Sequence, residues 1–158
     1  MIHIDCENEL RELELALYKK GSMITKSTYN VSHRTDRCVL EIEFNFPVYY
    51  DDGLVSSPPD NTYLRLPDPD SSDVLHTALY VLLHTENNFI GKIDGCGINL
   101  VCDYYVEVGT PGLRIDWQNG SVWSKVIKIV RPKTHTNVVR LKEDISNIIK
   151  YMTNLINE

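Results

Sequence analysis

Apolar residues recur at intervals of three and four in three parts of the chain, which is the pattern of amphipathic helices. They predict helices over about residues 5–20, 72–85 and 138–156. Asp5 is a candidate N-cap of the first helix, because its carboxylate can accept hydrogen bonds from the free amides of the first turn. Gly21 is placed to end this helix, since glycine tolerates the left-handed conformation that closes many helices.

Alternating apolar and polar residues predict strands between the helices. The clearest run is 38–46, where every second side chain is apolar, as in a half-buried strand of an antiparallel sheet. A strand over about 23–31 precedes it, and a turn at 33–36 makes the two a predicted hairpin. A tight turn at 94–97 begins the next group of strands. These strands are predicted over 98–108, 113–117 and 122–130.

The order of these elements indicates the fold class. Asn119-Gly120, between the last two strands, is the strongest hairpin signal in the chain, since this pair readily adopts the positive φ angles of tight turns. Successive strands joined by tight turns pair in antiparallel fashion. We therefore predict a single globular α+β domain over residues 1–158. It has an antiparallel sheet of five to six strands, with three helices packed mainly on one face.

Residues 47–73 follow neither pattern. This segment holds six aspartates, and Arg65 is its only basic residue. Pro58-Pro59 and the prolines at 67 and 69 disfavour regular ladders, because proline lacks the amide donor and restricts the residue before it. The sequence predicts an exposed, acidic, proline-rich loop here, interrupted at most by a short strand over 62–66.

The charge balance limits the class of partner. The net charge is −6 over 158 residues, and it is unevenly distributed. Residues 121–158 carry seven basic and three acidic side chains, whereas residues 1–120 carry nine basic and nineteen acidic ones. Nucleic acid and anionic membrane would repel such a chain, so neither is a predicted partner. A basic protein would instead be steered toward it.

Three features predict a cytoplasmic protein. No run of 18 apolar residues occurs, so a transmembrane helix is not expected. The first residues do not combine a basic start with an apolar run, as a secretory signal does. The cysteines are scattered and form no C-x-x-C pair, which favours reduced, buried thiols. They are Cys6, Cys38, Cys96 and Cys102.

No catalytic or cofactor-binding motif is found in the sequence. G-x-S-x-G and H-E-x-x-H are both missing, and Gly95-Cys96-Gly97 precedes a predicted strand and not a helix, unlike a phosphate-binding loop. We therefore predict no catalytic residue, no cofactor and no metal ligand. The alternative is a metal-dependent hydrolase or nuclease, because Asp103 and Glu107 share one face of a predicted strand and Asp116 lies on the neighbouring hairpin.

The acidic loop is the predicted partner-binding site. Tyrosines supply rigid contact area, and carboxylates pair with lysine or arginine of a partner. We expect the protein to be a non-enzymatic immunity protein or inhibitor that neutralises a basic, nuclease-type toxin. A further alternative is an oligomeric adaptor subunit, and the chain itself is expected to be a monomer or small oligomer. The predicted binding residues are Tyr49, Tyr50, Asp51, Asp52, Asp60, Tyr63, Asp68 and Asp70.

Overall fold

The computed structural model describes residues 4–34, 36–51, 54–56, 74–83, 88–93, 104–109, 112–118, 120–132 and 138–157. In these ranges the chain forms three helices and eight strands. The helices are α1 (Glu7–Lys19), α2 (Val74–Leu83) and α3 (Val138–Asn157). The strands are β1 (Lys26–His33), β2 (Arg37–Phe46), β3 (Tyr49–Asp51), β4 (Leu54–Ser56), β5 (Phe89–Ile93), β6 (Tyr104–Val108), β7 (Gly112–Asp116) and β8 (Gly120–Pro132).

Six of the strands form one antiparallel sheet, in the order β1-β2-β8-β6-β5 with β7 also on β8. The central strand is β8, which has 13 residues and pairs with three others. Val108 lies opposite Ile127 and Gly112 opposite Ser124, so β6 and β7 follow one another along the same edge of β8. Strands β3 and β4 form a separate two-stranded sheet. The predicted α+β class and antiparallel sheet are confirmed.

One face of the large sheet, here called the inner face, builds the hydrophobic core. It is defined by Leu40, Ile42 and Phe44 of β2, all fully buried. Buried side chains of the three helices join them in one cluster, so this face packs against the helices. We call the opposite face the outer face. The helical members of the core include Leu10, Leu13 and Leu17 of α1, Leu75, Leu79 and Leu82 of α2, and Ile145, Ile148 and Met152 of α3.

The ends of α1 show how its local sequence defines it. Gly21 has φ +89°, its amide donates to the Tyr18 carbonyl, and the Ser22 amide donates to the Leu17 carbonyl, both at 3.0 Å. This pair of bonds is a Schellman motif, and it confirms that Gly21 ends the helix. At the other end, the N-cap is Cys6 and not Asp5 as predicted. Asp5 still contributes, because its Oδ1 accepts a hydrogen bond from the Glu7 amide at 3.0 Å.

Side chains of α1 cover the edge strand β1. The Glu14 carboxylate accepts hydrogen bonds from the Ser27 amide at 2.6 Å and from the Ser27 hydroxyl at 2.5 Å. Arg11 donates to the Ser27 carbonyl at 2.8 Å and to Glu14 at 2.6 Å. Main-chain groups on a sheet edge can recruit another strand, and here those of Ser27 are already bonded.

Both predicted hairpins are present. In the first, His33 of β1 lies opposite Cys38 of β2. In the second, Asp116 of β7 lies opposite Gly120 of β8, and Gly120 has φ +79°. That left-handed backbone explains the glycine of the Asn-Gly pair, because residues with a Cβ adopt it at a cost.

Strand β5 was not predicted, because we expected this group of strands to begin after a turn at 94–97. That turn lies outside the described residues. Gly91 in its middle breaks the apolar run that marks a strand. A Cβ at Gly91 would overlap the Phe89 ring and lie 3.0 Å from Val74 of α2. The glycine therefore lets helix α2 approach the strand closely.

Several other predictions concern residues that lie partly or wholly outside the described ranges. Within the predicted acidic loop, residues 49–51 and 54–56 form the paired strands β3 and β4 and not an irregular loop. The predicted strand over 62–66 and the part of 98–108 before Tyr104 lie outside the described residues. Cys6 and Cys38 are buried thiols outside any disulfide, as expected, whereas Cys96 and Cys102 lie outside the described residues. Among the helices described, none is both long and apolar enough to cross a membrane.

Candidate protein-binding surface

The register of five strands arranges the outer face in two neighbouring rows of side chains. Residues opposite each other in an antiparallel sheet point to the same face, so each row crosses the whole sheet. The first row is Ser32, Val39, Val130, Tyr105 and Lys92. The second row is Asn30, Glu41, Lys128, Glu107 and Ile90.

The β5–β6 end of these rows exposes apolar and aromatic surface. Ile90 is 77% exposed and Tyr105 is 45% exposed. The Lys92 ammonium lies 5.5 Å from the centre of the Tyr105 ring, which is within cation–π range. Ile90 and Tyr105 therefore retain apolar surface that a partner can bury. Exposed apolar patches of this kind are typical of binding sites.

The second row alternates in charge. Lys128 lies between Glu41 on β2 and Glu107 on β6 in the register. Its Nζ is 3.9 Å from Glu41 Oε1, and both side chains are more than one third exposed. An exposed pair at this distance contributes little to folding, so the row has a larger effect on the field at the surface than on stability.

A depression of about 400 Å³ lies where the two rows meet the start of β2. We call it the outer-face depression, and it is lined by Asp36, Arg37, Ile90, Tyr105, Glu107 and Val130. Its walls are apolar, and its two carboxylates outnumber its single guanidinium. Two further depressions of about 340 and 210 Å³ have both Glu107 and Lys128 in their lining, and the smaller one adds Arg34 and Arg37.

This combination fits one kind of side chain. Lysine and arginine bury their methylene groups on apolar surface while keeping a cationic head in contact with charge or water. In the outer-face depression, Ile90, Tyr105 and Val130 offer the apolar contact, and Asp36 and Glu107 offer the counter-charge. The site is therefore suited to receive a basic side chain of a protein partner.

The predicted binding residues are only partly placed. Tyr49, Tyr50 and Asp51 form strand β3, in which Tyr49 lies opposite Ser56 and Asp51 opposite Leu54. The remaining predicted residues are outside the described part of the chain. They are Asp52, Asp60, Tyr63, Asp68 and Asp70.

The described residues of the alternative metal site, Glu107 and Asp116, do not come together. Glu107 lies opposite Lys128, and Asp116 lies opposite Gly120. Eight residues along β8 correspond to about 26 Å at ~3.3 Å per residue, so these two residues are too far apart to ligate the same ion. Asp103 lies outside the described residues. Within the ranges that are described, no group of three or more His, Cys, Asp and Glu residues is arranged to hold a metal ion.

Sequence reasoning did not predict any of the six residues that line the outer-face depression as partner-binding residues. Ile90 lies in the strand that the pattern did not predict, and Asp36 lies in a turn whose neighbours depend on the long-range pairing of β2 with β8. The alternation of residues 98–108 did assign Tyr105 and Glu107 to one polar face of the sheet. This was the sequence pattern from which part of the site could have been found.

Similarity to known proteins does not indicate a function. The chain matches no protein-family model, no curated protein and no solved structure. Function therefore has to be inferred from the geometry and charge of the outer face, together with the composition of the acidic segment 47–73.

Proposed function

We propose that this protein is a non-enzymatic binding protein of the immunity or inhibitor type, which neutralises a basic partner by direct contact in the cytoplasm. The outer-face depression receives a lysine or arginine of the partner, and the acidic segment 47–73 adds further carboxylates. The observation that carries the proposal is the pairing of apolar walls with two carboxylates, those of Asp36 and Glu107, in this depression.

The layout of the outer face supports a protein ligand. Protein interfaces combine a central apolar or aromatic contact with a polar rim. Here Ile90 and Tyr105 are the exposed apolar contacts, Arg37 and Glu107 line the same depression, and Lys128 lies opposite Glu107. Tyrosine is among the residues that most often dominate binding energy, because a large surface becomes ordered with few rotatable bonds.

Charge indicates the chemistry of the partner. The excess of acidic residues in the first 120 positions, nineteen against nine basic ones, gives a field that attracts cationic surfaces. Enzymes that act on nucleic acid need basic surfaces to hold phosphate. A small acidic protein can therefore block such an enzyme by occupying that surface, and a nuclease-type toxin is the proposed target.

The experiment uses the full-length protein, immobilised and exposed to a lysate of its native host. We expect it to capture a basic protein whose association rate falls steeply between low and high salt. The decisive variants are Glu107→Lys, which reverses the charge of the depression, and Tyr105→Ala, which removes its aromatic wall. Each should weaken binding of the captured protein by about tenfold or more.

Matched controls separate the outer face from general effects. Tyr18→Ala removes a 75% exposed tyrosine on α1, and it should leave binding unchanged. A triple variant in which Asn replaces Asp60, Asp68 and Asp70 measures how much the acidic segment contributes to partner binding. The proposal fails if the captured protein binds the Glu107→Lys and Tyr105→Ala variants as tightly as the wild type, or if its association rate does not depend on salt.

A further inference from the structure

The depression of about 210 Å³ on the outer face, which we call the basic depression, has three basic side chains in its lining: Arg34, Arg37 and Lys128. The turn between β1 and β2 brings the two arginines together, because the Arg34 amide donates to the Arg37 carbonyl at 2.8 Å. Glu41 and Glu107 line the same depression. Three cationic side chains and two carboxylates leave one positive charge in excess.

The basic depression adjoins the outer-face depression. Arg37, Glu107 and Val130 line both of them. From these shared residues the outer-face depression extends toward Ile90 on β5, whereas the basic depression extends toward Ser32 on β1. Neighbouring strands lie ~4.8 Å apart, so the centres of the two depressions are separated by one to two strand spacings, or about 5–10 Å.

The charges in the outer-face depression do not neutralise one another. Asp36, Arg37 and Glu107 all line it, yet among the described residues Arg37 forms no ion pair with either carboxylate. All three residues are exposed. Arg37 is directed to the outer face, because it precedes the buried Cys38 in β2 and successive side chains of a strand point to opposite faces. Its guanidinium can therefore pair with a group from outside the chain.

We infer that the basic depression is an anion subsite, which receives a carboxylate of the protein partner beside the basic side chain held in the outer-face depression. This inference rests on the proposed function and adds a second requirement to it. Arginine binds carboxylates through two parallel hydrogen bonds, because its planar fork matches their geometry. A carboxylate also carries one negative charge, which equals the excess positive charge of the lining. A phosphate dianion exceeds that charge and meets the repulsion of Glu41 and Glu107.

The separation of the two depressions defines the partner segment. In an extended chain, residues two positions apart point to the same face and lie about 7 Å apart, at ~3.3–3.4 Å per residue. This spacing falls within the range that separates the depressions. The partner segment is therefore extended, with a basic residue and an acidic residue separated by one other residue.

The anion subsite gives an acidic protein a means of selecting among basic proteins. Carboxylates alone attract any cationic surface. Arg37 repels a partner that presents only basic side chains at this point, and it stabilises one that places a carboxylate beside them. Specificity of this kind needs both a repulsive and an attractive element, and Arg37 supplies both.

Capped five-residue peptides test the inference on the full-length protein without the partner. The first peptide has arginine at its second position and glutamate at its fourth, with serine elsewhere, and the second has glutamine in place of the glutamate. NMR titration of the amide signals at low salt measures binding up to about 10 mM peptide. We expect the first peptide to shift the amides of Val39, Val130 and Tyr105, and to bind about threefold more tightly than the second.

Variants assign this preference to the anion subsite. Arg37→Gln removes the guanidinium that lines both depressions, so the two peptides should then bind equally. Asp36→Asn removes a carboxylate that lines the outer-face depression, so both peptides should weaken while the preference remains. Lys150→Gln, at an exposed lysine of α3, is the control and should change neither quantity. Circular dichroism of each variant confirms that it is folded before the titrations are compared.

A third peptide, with phosphoserine in place of the glutamate, distinguishes the two anion chemistries. If it binds more tightly than the glutamate peptide, the assignment to a carboxylate is wrong. The anion subsite is overturned if the wild type binds the glutamate and glutamine peptides equally, if neither peptide shifts these amides, or if the preference persists in Arg37→Gln. Equal binding of the two peptides leaves the proposed function standing. Failure to capture a basic protein from the lysate would instead remove that function without changing the peptide preference.

Discussion

Arg131 of β8 and Asp144 of α3 form an ion pair inside the protein. Arg131 Nη1 is 2.6 Å from Asp144 Oδ2, and the two side chains are only 2% and 4% exposed. Arg131 lies on the inner face opposite Cys38, so the pair links the central strand of the sheet to the last helix. Two charges withdrawn from water depend on each other, because either one alone would be strongly destabilising in the core.

We predict that Asp144→Asn lowers the free energy of unfolding by about 3–5 kcal/mol, since it leaves the buried guanidinium without a counter-charge. Urea denaturation followed by circular dichroism measures the change. Glu143→Gln, at the exposed neighbouring acid, is the control and should change stability by less than about 0.5 kcal/mol. The double variant Arg131→Met/Asp144→Leu should recover most of the loss. A loss below about 1 kcal/mol for Asp144→Asn would show that the pair is not needed.

The Glu14–Ser27 contact gives a second prediction. Replacing Glu14 with Leu removes the acceptor of both the Ser27 amide and the Ser27 hydroxyl. Unsatisfied groups that are buried cost about 1–3 kcal/mol, so the free energy of unfolding should fall by about this amount. Hydrogen exchange at the Ser27 amide should become faster. Glu12→Leu, on the exposed side of the same helix, should change neither quantity. Unchanged exchange at Ser27 in the Glu14 variant contradicts the edge-covering role.

Much of the fold was predictable because its signals are local. The helical spacing around Leu10 and Leu13 gave α1, and Gly21 gave its end. The turn residues between β1 and β2 and the Asn119-Gly120 pair gave the two hairpins, since a tight turn determines which strands are neighbours. The pairing of β2 with β8 has no such signal, because more than 70 residues separate these strands and nothing local specifies the contact.

The charged residues of the core were harder to interpret. Lys125 and Arg131 alternate in phase with Ile127 and Ile129, so the periodicity does assign them to the inner face. A charge count treats them instead as part of a basic surface. They can be buried only because α2 and α3 supply a carbonyl and a carboxylate at the right places, and those partners depend on tertiary packing.

The Cys6 thiol gives a third prediction. Burial, followed by the carboxylates of Glu9, Asp5 and Glu7, raises the pKa of Cys6 from 9.0 to about 12. The thiolate fraction at pH 8 is then about a thousandfold lower than in the unfolded chain, and the thiolate is the reactive species. Iodoacetamide should therefore label Cys6 very slowly in the native protein and rapidly in urea, as peptide mass spectrometry can show. Native labelling at the unfolded rate would contradict this environment.

The same pKa makes stability depend on alkaline pH. Between pH 9 and pH 12 the unfolded chain loses the Cys6 proton while the folded protein keeps it, so stability falls as the pH rises through this window. Cys6→Ala should remove this part of the decline. Urea denaturation of both proteins at pH 8 and pH 10 gives the comparison, and equal declines would exclude Cys6 as a source.

Lys125 should change the pH dependence of stability in the opposite direction to Cys6. Its ammonium is buried on the inner face and donates to the Val81 carbonyl at 2.8 Å, in the last turn of α2. Desolvation lowers the pKa of Lys125 from 10.5 to about 8. Between these values the folded protein releases a proton that the unfolded chain retains, so Lys125 makes the protein more stable as the pH rises from 8 toward 10.5.

The test compares the wild type with Lys125→Met, because the difference between them cancels the contribution of Cys6 and of every other titrating group. From pH 7 to pH 10 the free energy of unfolding should shift in favour of the wild type by about 2 kcal/mol. Lys128→Met is the control, at an exposed lysine of the outer face three residues along β8. Its free energy of unfolding should change with pH in parallel with that of the wild type. If the free energy of unfolding of Lys125→Met also changed with pH in parallel with the wild type, Lys125 would have an ordinary pKa. Its burial against α2 would then not disfavour the charged form.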